Sequence, residues 1–439
     1  GGVAKGAARL KLVDAAPVIE DLHPVTRPDG HARLRKSDLG GYESTVRFDP
    51  GVRPDALGRY EIQGRHFIRI EGKTYEQVYD RALGRWCIRH PDNPHAYQPV
   101  LTHNAAGAWR HTLENPLKWS RQTLLRRIGH ITEAYTDEQL LTIGEISGVS
   151  DNALRKMHMD NLSPPPELMD ALRLFDTDRG VVQVIEQLAG DLDIDHRYLH
   201  ALPLIIELPG WPVGRILKVY DTPDFTGPST RYGSEHPLAE MANKPPIRLS
   251  RSHVLNGELP ARILSALDES EISALFGDKE AGDRVWRPQA FRDLLADYAR
   301  ANRPTLFESL FQESAIADPM IDRLQRAYAG LSDAAAQEIL RHANADDMAI
   351  LYSTGRMPDA MLEEARWYAR RGRLVRALAG LHMEHMMSAD TRRLALHTLS
   401  KLPGWSADMQ LDIREGRVDG RQIDSIGRET ATVRGSVVK

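Results

Sequence analysis

With 439 residues, of which 41% are hydrophobic and 27% charged, the chain has the bulk of an ordinary globular protein of about three domains. Its 57 basic residues against 61 acidic ones leave a net charge of −4, which excludes the broad basic footprint of a nucleic-acid binder. No run approaches the ~18 consecutive apolar residues of a membrane helix, and the lone Cys87 excludes an intrachain disulfide and any multi-cysteine metal site.

The N-terminus lacks both Met and an apolar signal core, and Gly1-Gly2 reads as a cleavage remnant, so the chain is expected to be a piece of something larger. Residues 1–57 mix Gly, Pro, Asp and Arg without a sustained period (Arg27-Pro28-Asp29-Gly30, Asp49-Pro50-Gly51). They predict an extended arm with little regular structure. Across 58–115 the period becomes two. Tyr60 to Ile62, His66 to Ile70, Thr74 to Tyr79 and Arg85 to Arg89 alternate, punctuated by Gly64, Gly72 and Leu83-Gly84. That is the pattern of an antiparallel meander.

Residues 116–277 read as a helical module with a small β piece. Thr136 and Gln139 have capping-box spacing. Ser163-Pro164 opens a helix carrying Leu168, Ala171, Leu172 and Phe175 on one face, and Leu199, Leu202, Ile205 and Leu208 form a later one. Leu208-Pro209-Gly210-Trp211 stops that helix. Beyond it Arg215 to Tyr220 alternates, a loop runs from Asp221 to Pro246, Ile247-Arg248-Leu249 gives a second strand, and helices return near Ile263 and Ile272. Residues 278–330 form a helical connector around Phe291, Leu295, Leu310 and Phe311.

The corner then occurs again. Leu402-Pro403-Gly404-Trp405 repeats it 194 positions on, from Pro209 to Pro403. Ser332-Asp333 stands where Thr136-Asp137 stood, Leu362 and Ala365 take the places of Leu168 and Ala171, and Ile426-Gly427 matches Tyr232-Gly233. This period exceeds the 20–50 residues of solenoid repeats, so residues 331–439 are a second domain-sized module. It is expected to be truncated in the apolar segment around Val433, Val437 and Val438. The predicted class is α+β, predominantly α-helical: tandem helical modules, each ending in a small β piece, preceded by an N-terminal antiparallel β meander.

The segment Trp119 to His130, Glu364 to Tyr368, Arg393 to His397, both corners and Asp424-Ser425-Ile426-Gly427 resemble the middle region of very large secreted toxin-like proteins of pseudomonads. Such proteins carry a dermonecrotic-toxin-type region, leucine-rich repeats and a novel-type E3 ubiquitin ligase domain similar to the Shigella and Salmonella effectors. The resemblance covers roughly residues 58–439. It implies secretion, delivery into host cells, and partners among the parent's other domains and a host protein. The family's ligase cysteine stands in a Cys-x-Asp context, whereas Cys87 is followed two residues on by Arg89, so ligase chemistry transfers to no residue here.

Few constellations invite chemistry. Cys87 alternates with Trp86 along a predicted strand and reads as buried. His196 and His200 stand i, i+4, a spacing that could ligate a metal on a helix. Against that, Asp195 makes a natural helix cap and His200 leads into an apolar run. The arginine run Arg366 to Arg376 reads as a solvated helix face, with an acidic partner or a membrane surface as the functional alternative. No GxSxG, Walker A, dinucleotide or HExxH motif is present. The expected role is a non-catalytic spacer, translocation-associated or protein-interaction region. No catalytic residue is assigned, and no metal, cofactor, nucleic acid or transmembrane segment is expected. The alternative is part of a ubiquitin ligase effector, or a toxin enzyme domain with an unrecognised active site.

Overall fold

The structure is a computed structural model that describes residues 22–234, 244–277, 284–313 and 318–436. Part of the expected arm (1–21), nine residues of the 221–246 loop, short pieces of the connector, and Val437 and Val438 lie outside the described residues. The chain divides into two compact units, Gly1–Met169 and Asp170–Lys439, and the division falls within a long helix.

The first unit opens on a hairpin, β1 (Leu22–Thr26) and β2 (Ala32–Lys36). It is regular structure within the stretch expected to be an extended arm with little of it. The Pro-Asp-Gly turn closes it, with Gly30 at φ 87°. Further on, Tyr42 is 1% exposed and belongs to the core. An aromatic side chain inside a Gly/Pro-rich stretch finds burial on a neighbouring sheet that local period does not report.

The meander is present as β3 (Tyr60–Ile62), β4 (Arg65–Ile70), β5 (Lys73–Asp80) and β6 (Arg85–Ile88), paired in that order and antiparallel throughout. Gln63-Gly64 and Glu71-Gly72 make its first two turns with positive φ at both residues. That geometry matches the strand twist and explains the glycines. Ile68, Tyr75 and Ile88 share one face and pack with Tyr42, with Leu101 of β7 (Leu101–His103) and with Trp109 of β8 (Trp109–His111). Three short capped helices follow: α1 (Arg121–Arg126), α2 (Asp137–Ser147) and α3 (Asp151–Met159). The predicted capping box is in place, Thr136 accepting from the Gln139 N–H and Gln139 from the Thr136 N–H. The long helix α4 (Pro166–Ala189) starts at the last of three consecutive prolines rather than at Ser163-Pro164, because each proline disfavours helical backbone in the residue before it.

In the second unit a 3₁₀ segment (His196–Ala201) and α5 (Leu202–Ile205) lead into the first corner. The β piece after it has three strands rather than two: β9 (Leu217–Tyr220) lies between β10 (Ser229–Tyr232), antiparallel, and β11 (Ile247–Ser250), parallel. Then come α6 (Arg251–Leu255), α7 (Leu259–Ala266), α8 (Glu269–Phe276), α9 (Arg287–Ala301), α10 (Arg303–Gln312) and α11 (Pro319–Ala327). The recurring series is α12 (Asp333–His342), α13 (Ala345–Thr354), α14 (Asp359–Ala379) and α15 (Ala389–Leu399). It ends in an antiparallel sheet of β12 (Gln410–Arg414), β13 (Arg417–Ile423) and β14 (Glu429–Ser436). Ser332 and Asn344 cap α12 and α13 as Thr136 and Ser150 cap α2 and α3. The sequence of capped helix, capped helix, long helix and corner therefore recurs along the chain. The sheets beyond the corners differ, mixed in one and antiparallel in the other. The α+β, mainly helical class is what the structure has.

Candidate functional site

The two corners are built alike. Gly210 and Gly404 both have φ 84°, a conformation that costs a side-chain-bearing residue and suits glycine. The Trp211 and Trp405 N–H groups reach back to the carbonyls of Leu208 (3.0 Å) and Leu402 (3.4 Å). The helices ahead of the turns stop earlier than the sequence suggests, at Ile205 and Leu399, four residues before Pro209 and Pro403. A Cβ on Gly210 would collide with the Ala274 carbonyl, whereas one on Gly404 would make only ordinary contact with Val433. Trp211 donates its Nε1–H to the Arg215 carbonyl at 2.9 Å, and Trp405 lies against Gly420 of the following sheet. These are joints between helix and sheet, with no group free to react.

Behind the first corner lies a feature that sequence patterning missed. Arg215 is buried, forms an ion pair with buried Glu271 (3.1 Å), and donates to the carbonyls of Pro245 (2.7 Å) and Ala266. Lys244 adds a second cation to Glu271 at 2.9 Å. Nothing local predicts it, because the partners are 56 residues apart.

Cys87 lies on β6, fully buried, opposite Val78 and bridged to Val100. Burial, with a smaller contribution from Asp80, pushes its thiol up to about 11. The reactive thiolate is then on the order of one part in ten thousand at neutral pH, which suits packing and not nucleophilic catalysis.

His196 is exposed, while His200 is largely covered. They stand on a 3₁₀ segment, where residues i and i+3 eclipse, so the i, i+4 pair that would share an α-helical face diverges. Among the described residues no group of three or more His, Cys, Asp or Glu side chains could hold a metal ion. His200 instead bridges two residues of α10 and its end: Ser309 Oγ lies 3.0 Å from Nδ1 and Glu313 Oε2 lies 2.9 Å from Nε2. With the proton on Nε2 facing the carboxylate, Nδ1 accepts from the hydroxyl. This hydroxyl–imidazole–carboxylate connectivity is that of a nucleophile relay. Ser309 sits inside a helix, however, where the neighbouring N–H groups are spent on the i→i−4 ladder and none is left to hold an oxyanion.

A cleft of about 540 Å³ is lined by Arg173, Arg373, Arg376, Phe311, Asp170 and Asp333, among others. Its arginines are already engaged. Arg173 stacks on Phe311 at 4.5 Å and donates to the Phe311 and Glu313 carbonyls, Arg376 pairs with Glu308, and Arg373 with Asp390.

Exposed apolar and basic side chains stand together on the outside of α14 and α15. Met361, Ala365, Val375 and Ala379 give α14 its buried stripe. On the opposite side Trp367 is 55% and Leu374 52% exposed, among Arg366 and Arg370. Arg392, Arg393 and Leu396 are exposed on α15, which is tied to α14 by a 2.9 Å bond from the Thr391 hydroxyl to the Ala377 carbonyl. Comparison of the chain with models of known families, with characterised proteins and with solved structures gives no match.

Proposed function

We propose that this chain is a tandem-module region of a large secreted toxin-like protein delivered into host cells. It works by interaction, as a spacer or translocation-associated segment, and not by a reaction of its own. The observation that carries the reading is the outer face of α14 and α15, where a tryptophan and two leucines are exposed beside Arg366, Arg370 and Arg392. Exposed apolar side chains grouped with cations are a common feature of binding surfaces. The recurring helix series supports the spacer part, and the resemblance of Trp119 to His130 and of both corners supports the toxin-like parent. Replacing Trp367→Ser with Leu374→Ser tests it. Stability of the folded chain should stay within about 0.5 kcal/mol, as for exposed positions, while the parent protein loses delivery into host cells. Unchanged delivery would remove the reading.

A second reading rests on the Ser309–His200–Glu313 relay: an acyl-transfer site in which Nδ1 takes the hydroxyl proton as Oγ attacks an ester or amide carbonyl, then returns it to the alcohol or amine that leaves as the carbonyl re-forms. A fluorophosphonate probe decides between the two. Labelling of Ser309 that is lost in His200→Gln would establish the enzyme, and labelling no faster than in the His200→Gln variant would dismiss it. The ubiquitin ligase alternative is tested by ubiquitin charging, where a Cys87-dependent thioester would be required.

A further inference from the structure

Resting on the interaction reading, we infer that the α14–α15 face docks on a bilayer surface containing anionic lipids. The repeat itself indicates that this face has changed its task. In the first copy the corresponding helix, α4, is covered by the chain's own side chains. Arg197 lies against Gly180, where a Cβ would meet its Nη1 at 2.9 Å, and pairs with Asp176 at 3.0 Å. Arg173, one turn earlier, is bound to carbonyls of the α10 end. At the repeat distance, Arg173 corresponds to Trp367, Asp176 to Arg370 and Gly180 to Leu374. Leucine fills the glycine notch, and arginine reverses the charge that held Arg197. A cover of the first copy's kind no longer fits, and the surface asks for one that is anionic and accepts apolar side chains.

The charges favour that occupant. Arg366, Arg370, Arg373, Arg392 and Arg393 stand on the outer sides of the two helices, against Asp359, Glu363 and Asp390. Asp390 is shared, accepting from Arg373 (2.7 and 2.9 Å) and pairing with Arg393 (2.9 Å), so one carboxylate ties the two helices' arginines into one surface and leaves a cation uncompensated. Arg366, Arg370 and Arg392 have no ion pair among the described residues. Trp367, under the Arg371 guanidinium at 5.1 Å, with Leu374 and Leu396, supplies the apolar part. Tryptophan and leucine interleaved with arginine are the residues of the headgroup boundary, where guanidiniums meet phosphates while rings and branched chains enter the acyl edge. A single aromatic flanked by leucines offers no second platform for stacked bases, which disfavours single-stranded nucleic acid.

Co-sedimentation of the full chain with vesicles tests the inference. Vesicles of phosphatidylcholine with about one-third phosphatidylserine should take up the chain at least ~10-fold better than pure phosphatidylcholine, with the difference shrinking in high salt. Arg370→Gln with Arg392→Gln should lower that uptake about tenfold, and Trp367→Ser with Leu374→Ser should abolish the part that survives high salt. Equal uptake by both vesicles, or uptake untouched by both double variants, overturns it. Binding to polyglutamate but not to the anionic vesicles also overturns it, in favour of an acidic protein. Should vesicle binding fail while the Trp367/Leu374 variant still loses delivery, only the lipid assignment falls. Should that variant deliver normally, the interaction reading itself falls.

Discussion

His158 is 4% exposed, and its Nε2–H donates to the Leu124 carbonyl at 2.8 Å, so the folded protein holds a neutral imidazole. Burial lowers its pKa to about 4. Between pH 6.5 and 4 the unfolded chain therefore binds the proton that the folded one refuses, and stability falls as pH falls through that window. The full loss is about 3 kcal/mol, reached near pH 4. Urea unfolding of wild type and His158→Gln, whose amide can keep the bond to Leu124, should give curves of stability against pH that diverge by that amount. A second residue-scale expectation concerns Cys87: a thiol reagent at pH 8 should leave it untouched in the native chain and modify it fully once the chain is unfolded. Rapid native labelling would contradict its burial.

At the scale of the element, the two corners make a matched pair with unequal surroundings. Alanine at Gly404 pays for left-handed backbone alone, about 1–2 kcal/mol. Alanine at Gly210 adds the collision with the Ala274 carbonyl and should cost more than its counterpart. Denaturation midpoints of the two variants give the order, and a reversed order would refute the account of the corners. The joint behind Gly210 offers another test. Glu271→Gln leaves Arg215 buried with a neutral partner and should cost about 3–5 kcal/mol, as breaking one side of a buried pair does. Lys244, about half exposed, pairs with both Asp268 and Glu271 and should change stability far less than Glu271→Gln when replaced by Met.

At the scale of the molecule, acid should act first on one unit. Burial lowers the pKa of His103, His111 and His130 as well as His158, and all four lie within Gly1–Met169. Each contributes stability that is present above its unfolded value and lost as pH falls below it, so the effects add in one direction. Hydrogen exchange at pH 5 should show the meander peptides from Tyr60 to Ile88 losing protection relative to pH 7 by more than the α12–α14 peptides, after correction for intrinsic rates. Equal losses would place the acid sensitivity elsewhere.

Much of this architecture is written locally. Alternation with x-Gly turns marks the meander, Thr136 with Gln139 marks a helix start, and Leu-Pro-Gly-Trp marks a helix stop. Each works through backbone preferences and short-range hydrogen bonds that a few adjacent residues determine. The third dimension decided the rest: Tyr42 joining the sheet core, β11 running parallel to β9, Arg215 meeting Glu271, and His200 facing Ser309 109 residues away. It also decided which arginines of the 366–376 run are spent on internal carboxylates and which stand in water beside Trp367. Those outcomes depend on which surfaces packing brings together and which it leaves uncovered, and no short window of sequence carries that information.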